Sequence, residues 1–355
     1  MENNGYIICG IQQMGIGVPD VQAIWKWYRT YFNTDVRIFE EAAEAPLMTL
    51  YTGGKVQART ATLAISMNGG GGFEIWQYTS RGTDKPKFEI RLGDLGFYAT
   101  RIKCRDVNAY YQKCLAEKQD IIGELSKTPN GSPHFLLRDP NGNIFDIVES
   151  TSWFGNTGHL CGGVAGALIG VSDMERSKKF YSELLGYDKV LYDTNGEQND
   201  LNALPGGNRN FRRVLLTHSK ERIGPFSKLL GASSIELVQV NESGARKIFE
   251  NRFWGDWGFI HLCFDVQKMD GLKSACEKAG YPFVIDSGST FDMGEAGGRF
   301  SYIEDPDGAL IEFVETHKVP IMKKWGWYLN LKKRKPGKSL PRWMLKAMGM
   351  NRVKN

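Results

Sequence analysis

Histidine is scarce in this chain, five in 355 residues, and His261 stands where a repeated segment changes its chemistry. The segment Gly93-Asp94-Leu95-Gly96-Phe97-Tyr98-Ala99 returns as Gly255-Asp256-Trp257-Gly258-Phe259-Ile260-His261, so an imidazole replaces a methyl group. Carboxylates occupy a second repeated place, Glu74 within Phe73-Glu74-Ile75 and Glu236 within Ile235-Glu236-Leu237. Imidazoles and ionised carboxylates are the donors of divalent-metal sites and the proton carriers of acid–base catalysis. Each also has a plain reading: a histidine on a strand can be satisfied in a core, and a glutamate between two apolar residues is the solvent-facing member of an alternating strand. Other chemistries find less support. Cys9, Cys104, Cys114, Cys161, Cys263 and Cys276 show no C-x-x-C spacing, which argues against a zinc ribbon or a redox pair and for reduced, buried thiols. The glycine clusters at 69–72 and 294–298 do not lie between a strand and a helix, as a phosphate loop requires.

The elements that must position these residues are themselves repeated. Val18-Pro19-Asp20 matches Val171-Ser172-Asp173, and Asp139-Pro140-Asn141-Gly142 matches Asp305-Pro306-Asp307-Gly308. In the first half a strand at 11–18 precedes an amphipathic helix at 21–32 opened by Asp20 at an N-cap, and strands follow near 35–39, 48–52 and 73–78. A second unit has a strand at 97–103, a helix at 106–118 and strands near 121–125, 134–138 and 144–148, the last two joined by a strong turn signal. Residues 150–163, rich in Ser, Trp, Gly and Asn, read as a linker. Beyond them a third unit runs to 240 and a fourth from 259 to 314. The order β-α-β-β-β thus occurs four times, and the fold class is α+β.

Composition is that of a globular protein, 41% hydrophobic and 24% charged. The first residues lack the basic and apolar regions of a signal peptide, and no apolar run reaches the roughly 18 residues of a membrane span, so a cytoplasmic location is expected. The net charge of +5 conceals a division. Twelve of the 45 Lys and Arg lie from Lys318 onward, where there is no acid, leaving 33 basic against 40 acidic side chains before it. The basic tail, 318–355, mixes cations with Trp325, Trp327 and Trp343. It is expected to fold back on the acidic body; contact with an anionic membrane surface is the second reading, and nucleic acid is set aside because no base-stacking or phosphate-reading fold accompanies it.

Four tandem β-α-β-β-β units, with Val-Ser-Asp-Met-Glu-Arg-Ser-Lys-Lys-Phe-Tyr at 171–181 and Asp-Pro-Asp-Gly-Ala-Leu-Ile-Glu-Phe at 305–313, resemble the vicinal oxygen chelate superfamily of glyoxalases, epimerases, extradiol dioxygenases and bleomycin-resistance proteins. The resemblance covers roughly residues 8–316. It implies that units pair edge to edge into two glyoxalase-like cups, here 8–150 and 163–317, each able to hold a divalent ion. Carried over by position, the first cup would present Gln13, Glu74, Ala99 and Asp146, a weaker set of oxygen donors. The second would present Gly166, Glu236, His261 and Glu312. Glu236, His261 and Glu312 form the expected metal set, with a position open for water or substrate, and suit Mn, Fe, Co, Ni or Zn.

The function this implies is a metal-dependent isomerase, lyase or epimerase acting on a small-molecule substrate with vicinal oxygens through a metal-stabilised enediolate, Glu236 being the candidate base. A ring-cleaving extradiol dioxygenase is the second reading, weakened because Gly166 stands where a second histidine belongs. A metal-free binding protein of the resistance type is the third, with Trp76, Tyr98, Trp254 and Trp257 available to line a pocket. Two cups in one chain remove the need for a pairing dimer, so both a monomer and a homodimer fit.

Overall fold

The computed structural model describes residues 5–288, 291–293, 296–322 and 327–354. The first unit comprises β1 (Ile7–Gly17), α1 (Val21–Phe32), β2 (Val36–Glu44), β3 (Ala58–Ile65) and β4 (Gly72–Tyr78). The second comprises β5 (Gly96–Cys104), α2 (Val107–Ala116), β6 (Asp120–Lys127), β7 (Pro133–Arg138) and β8 (Ile144–Glu149). In the third, β9 (Cys161–Gly170), α3 (Met174–Glu183), β10 (Lys189–Glu197) and β11 (Asn210–Thr217) lead through a single turn, α4 (Ser227–Leu230), to β12 (Ser234–Val240). The fourth holds β13 (Gly258–Gln267), α5 (Met269–Lys278), β14 (Ile285–Asp286), β15 (Phe291–Met293), β16 (Ala296–Glu304) and β17 (Leu310–Met322).

Local chemistry explains most of these elements. Asp20, Asp106 and Asp173 each accept a hydrogen bond from the backbone N–H three residues on, at 3.0, 2.9 and 3.0 Å, satisfying a donor that the first helical turn leaves unpaired. One expected strand is not found. Residues 46–51 form a 3₁₀ turn that starts at Pro46 and runs into Gly53 and Gly54, both at positive φ, a path that ends extended structure. The strand of that position is β3, whose small Ala and Thr side chains hid the alternation. The expected linker is also shorter than 150–163, because β9 already begins at Cys161.

The strands form two curled sheets. One has the order β14-β16-β17-β13-β1-β4-β3-β2 and the other β10-β11-β12-β9-β5-β8-β7-β6. The pairing corrects the expected composition of the cups: the first unit joins the fourth through antiparallel β1 and β13, and the second joins the third through β5 and β9. Sequence halves 8–150 and 163–317 therefore do not each close a sheet. They are held together instead through their helices. Tyr28 of α1 donates to Asp139 of the second unit at 2.6 Å, and Tyr181 of α3 donates to Asp305 of the fourth at 2.9 Å. The aromatic stripe of α1 touches both sheets, the Tyr28 ring lying 4.6 Å from Phe73 of β4 and 5.6 Å from Phe145 of β8.

All six cysteines are buried and unbridged. After β17 the chain returns as β18 (Trp327–Asn330) and α6 (Arg342–Ala347), and Leu331, Leu340 and Leu345 are buried beside Val36, Met67, Phe154 and Leu229. Residues 323–326 and 355 of the basic tail lie outside the described residues. The seating is mainly apolar, and Arg352 pairs with Asp35 at 3.5 Å. Among the described residues no helix is long and apolar enough to cross a membrane.

Candidate metal centre

The exchange of units brings the residues with donor chemistry into one cup. Gln13 on β1 and Glu74 on β4 come from the first unit, His261 on β13 and Glu312 on β17 from the fourth. The His261 Nε2 atom lies 3.2 Å from a carboxylate oxygen of Glu74 and 3.2 Å from one of Glu312. Gln13 Nε2 lies 3.4 and 3.3 Å from the same two oxygens. His261 is wholly buried and Glu312 is 6% exposed.

Two details distinguish this cluster from a buried ion pair. Nε2 of His261 is equidistant from the two carboxylates yet hydrogen-bonds to neither, and the Gln13 Oε1 acceptor is likewise without a partner. A buried polar atom left unpaired costs roughly 1–3 kcal/mol, so orphaned donors converging on one point mark a place for a further group. Ligand atoms about 2.1 Å from a common ion and at right angles to one another are about 3 Å apart, close to the separations seen here. One imidazole and two carboxylates, with ligand atoms within 4.8 Å of one another, form a donor set that a divalent ion fits, and the Gln13 amide lies beside them. Burial alone would push the His261 imidazole down, but the neighbouring Glu312 and Glu74 draw it up to about 9. The same imidazole, with Tyr302 donating to the other Glu312 oxygen at 2.8 Å, holds Glu312 below its ordinary range against the effect of burial.

The site depends on breaks in strand alternation. The register of β1 against β13 shifts between Gly15 and Ile16, which pair with His261 and Phe259, so Ile260 is an extra residue and both Ile260 and His261 meet the cup. The imidazole then packs flat on Gly15. A Cβ there would stand 2.3 Å from Cε1 and 2.4 Å from Nε2. Gly15→Ala is expected to displace the ring, costing about 1–3 kcal/mol of stability by overpacking and removing metal binding at concentrations that saturate the parent protein. Metal content and thermal melting of that variant measure the two effects separately.

The second cup holds the other expected residues and a different chemistry. Glu236 does not join His261 and Glu312. It lies on β12 in the other sheet, fully buried, bonded to Arg213 Nε and accepting from the Tyr192 hydroxyl at 2.6 Å. Asp146 is bound by Arg101 at 3.1 Å and by His134 Nδ1 at 2.8 Å, and Asp200 by Arg213 at 2.5 Å, while His134 Nε2 lies 3.1 Å from Asp200 without a hydrogen bond. Ala99 replaces the imidazole. Gly166, at the position of Gln13, has no room for any side chain, since its Cβ would fall 1.6 Å from the Ser234 carbonyl oxygen. Arg101, Arg213 and protonated His134 balance the charge of Asp146, Asp200 and Glu236, so this cup offers three cations beside its three carboxylates.

These basic partners were not anticipated. His134 reads as a packing residue because its repeat counterpart is Phe300, and nothing local marks the arginines. The signal was comparative: Arg213 pairs with Val238 as Ala61 pairs with Trp76, and Arg101 faces Gly166 as Cys263 faces Gln13. The cluster also sets a pH dependence. Burial would lower the His134 pKa, but Asp146 and Asp200 raise it to about 9; burial would raise that of Asp146, but His134 and the two arginines hold it at about 2. A raised histidine contributes stability fully below its free pKa of about 6.5, and that stability is lost as pH rises through 9. A depressed aspartate contributes above about 4 and loses its effect as pH falls through 2. Denaturant unfolding at pH 6.5 and 9.5 is expected to show an alkaline loss that is smaller by about 3 kcal/mol in His134→Gln, the remainder coming from His261, which its carboxylates also raise to about 9.

The solved structures share this architecture. Glyoxalase I from Zea mays superposes with a TM-score of 0.53 at 16% identity, covering 87% of this chain and 92% of that one. A putative dioxygenase from Bacillus subtilis subsp. subtilis strain 168 gives 0.54 at 13% identity, covering 87% and 86%. No curated protein matches the chain. The family model described as Glyoxalase/Bleomycin resistance protein/Dioxygenase superfamily matches residues 10–147 and again 159–313. With that model matched over both halves and the four units folded into two such cups, the chain belongs to the glyoxalase, bleomycin resistance protein and dioxygenase superfamily.

Proposed function

We propose that this protein is a divalent-metal-dependent enzyme that moves a proton on a small substrate carrying vicinal oxygens, by isomerisation, lyase chemistry or epimerisation, in the cup formed by the first and fourth units. The observation that supports this reading is the convergence of Gln13, Glu74, His261 and Glu312 with the His261 nitrogen and Gln13 oxygen unpaired. Those four residues would hold the ion. A bound Mn, Fe, Co, Ni or Zn ion supplies Lewis-acid polarisation of a substrate oxygen.

The rest follows from the chain's own side chains. Glu312 is pinned by the Tyr302 hydroxyl, whereas Glu74 has no such tether and is the more solvent-accessible of the two carboxylates, with side-chain exposures of 12% and 8%. Glu74, which occupies the repeat position of Glu236, therefore takes the role of proton carrier, since a general base must reach a C–H beside the polarised oxygen. Trp76 and Trp254, in edge contact at 4.3 Å, wall the cup against water, and Tyr51 of the 3₁₀ turn closes over it by donating to Glu304 at 2.7 Å. Exclusion of water strengthens the electrostatic interactions within. The dioxygenase reading is disfavoured by the presence of one imidazole in this cup among the described residues, where such an iron site takes two.

The test is metal content per chain together with solvent deuterium exchange into enolisable α-hydroxy and α-keto compounds. One ion per chain and exchange that disappears in Glu74→Gln are expected. Protein that takes up no Mn, Co, Ni or Zn would instead make the cup a metal-free binding pocket.

A further inference from the structure

A cavity of about 430 Å³ adjoins the proposed metal cup, with Trp254, Ile260 and Leu310 in its wall. Trp254 stacks on His261 at 6.0 Å, Ile260 precedes it in the chain, and Leu310 lies two residues before Glu312, so these side chains form the layer between cavity and metal donors. The remaining wall is largely apolar and aromatic, including Leu50, Phe97, Phe249 and Phe253. A chamber of this size and lining suits a small organic molecule.

Its charges are unevenly matched. Glu304 and Asp307 line it, but Glu304 accepts from Tyr51, and Asp307 is engaged by the Ser172 backbone N–H at 2.9 Å and by Arg176 at 3.4 Å. The cations have no such partners. Arg252 is only 8% exposed, donates to the carbonyls of Trp257 at 2.5 Å and Ile248 at 2.6 Å, lies 4.4 Å over the Phe249 ring, and leaves Nε unbonded. Among the described residues no carboxylate lies within 4 Å of Arg252, and Asp256, whose field reaches it, is bound by Arg81 at 2.6 Å. Lys247, exposed at the rim, has no ion pair among the described residues either. A buried guanidinium without an anion is costly, and an anionic ligand offsets that cost.

We propose that the chamber binds an organic carboxylate, its apolar or aromatic body against the Phe and Leu walls and its carboxylate on Arg252 and Lys247. The chamber is a subsite beside the metal cup, and reading its ligand as that cup's substrate rests on the function proposed above, though binding in the chamber does not require the ion.

The experiment titrates octanoate and 3-phenylpropionate, and the matching alcohols octanol and 3-phenylpropanol, into the full-length protein with and without chelator. It reads calorimetric heat and the fluorescence of the tryptophans, Trp254 among them. Saturable carboxylate binding at least tenfold tighter than that of the alcohols is expected, and it persists in chelator. Lys247→Gln, at an exposed position, and Arg252→Met should each weaken the carboxylates severalfold and leave the alcohols unchanged, while Leu50→Trp fills the chamber and weakens all four. Equal binding of acids and alcohols, indifference to both cation variants, or no saturable binding of either overturns the proposal. Carboxylate binding in a protein that takes up no metal would sink the enzymatic function and leave the chamber standing; one bound metal with no carboxylate binding would do the reverse.

Discussion

Protein carrying His261→Ala is expected to hold no stoichiometric divalent metal. The substitution leaves Gln13, Glu74 and Glu312, all oxygen donors, and imidazole is the ligand that raises affinity for the later first-row ions. Loss of an outer-sphere partner alone typically costs ten- to about a hundredfold in affinity, so loss of a direct nitrogen ligand should exceed about a hundredfold. The fold should survive, because His261 forms no hydrogen bond and its neighbours Trp254 and Tyr302 remain packed. Mass spectrometry of the parent, His261→Ala and His134→Gln gives the answer directly. One ion retained by His134→Gln and lost from His261→Ala locates the centre in the cup of the first and fourth units. Metal kept by His261→Ala would show that these donors are the wrong ones.

The second large effect is structural. Arg213→Met should destabilise the protein by about 3–5 kcal/mol while leaving metal stoichiometry unchanged, because removing one member of a buried ion network strands its partners. Arg213 is wholly buried, bonded to both Glu236 and Asp200, and its guanidinium lies 5.6 Å over the Tyr192 ring. A methionine fills part of the volume but cannot neutralise two carboxylates. Adding Glu236→Gln to Arg213→Met should recover part of the loss, since it removes one of the stranded charges. Denaturant midpoints for the single and double variants measure both numbers. A loss below about 1 kcal/mol would mean that the carboxylates take up protons or find other partners.

How the site came to be half legible can be traced residue by residue. His261 and Glu312 were identified because the repeat displayed them, one opposite Ala99 and the other within Asp305-Pro306-Asp307-Gly308-Ala309-Leu310-Ile311-Glu312. Gln13 and Glu74 were identified as donors but placed with Ala99 and Asp146, and Glu236 was placed with His261. Each error has one source, the assumption that neighbouring units in the chain share a sheet. The missed strand β3 had a different cause: Ala58-Arg59-Thr60-Ala61 alternates in burial, but not in polarity strong enough to read.

By itself the sequence determined the four β-α-β-β-β units, the Asp20 cap of the first helix, the Asp-Pro-x-Gly turns of the second and fourth units and the list of residues with donor chemistry. These are consequences of hydrogen bonds and side-chain periodicities spanning a few residues. Only the tertiary structure decided which donors meet. The central strands β1, β5, β9 and β13 are alike enough that local pattern cannot rank their pairings, and the choice is made by packing over the whole molecule. Pairing β1 with β13 puts an imidazole, two carboxylates and an amide around one point. Pairing β5 with β9 sets Ala99 and Gly166 in the other cup, where Arg101 and Arg213 neutralise the carboxylates that remain.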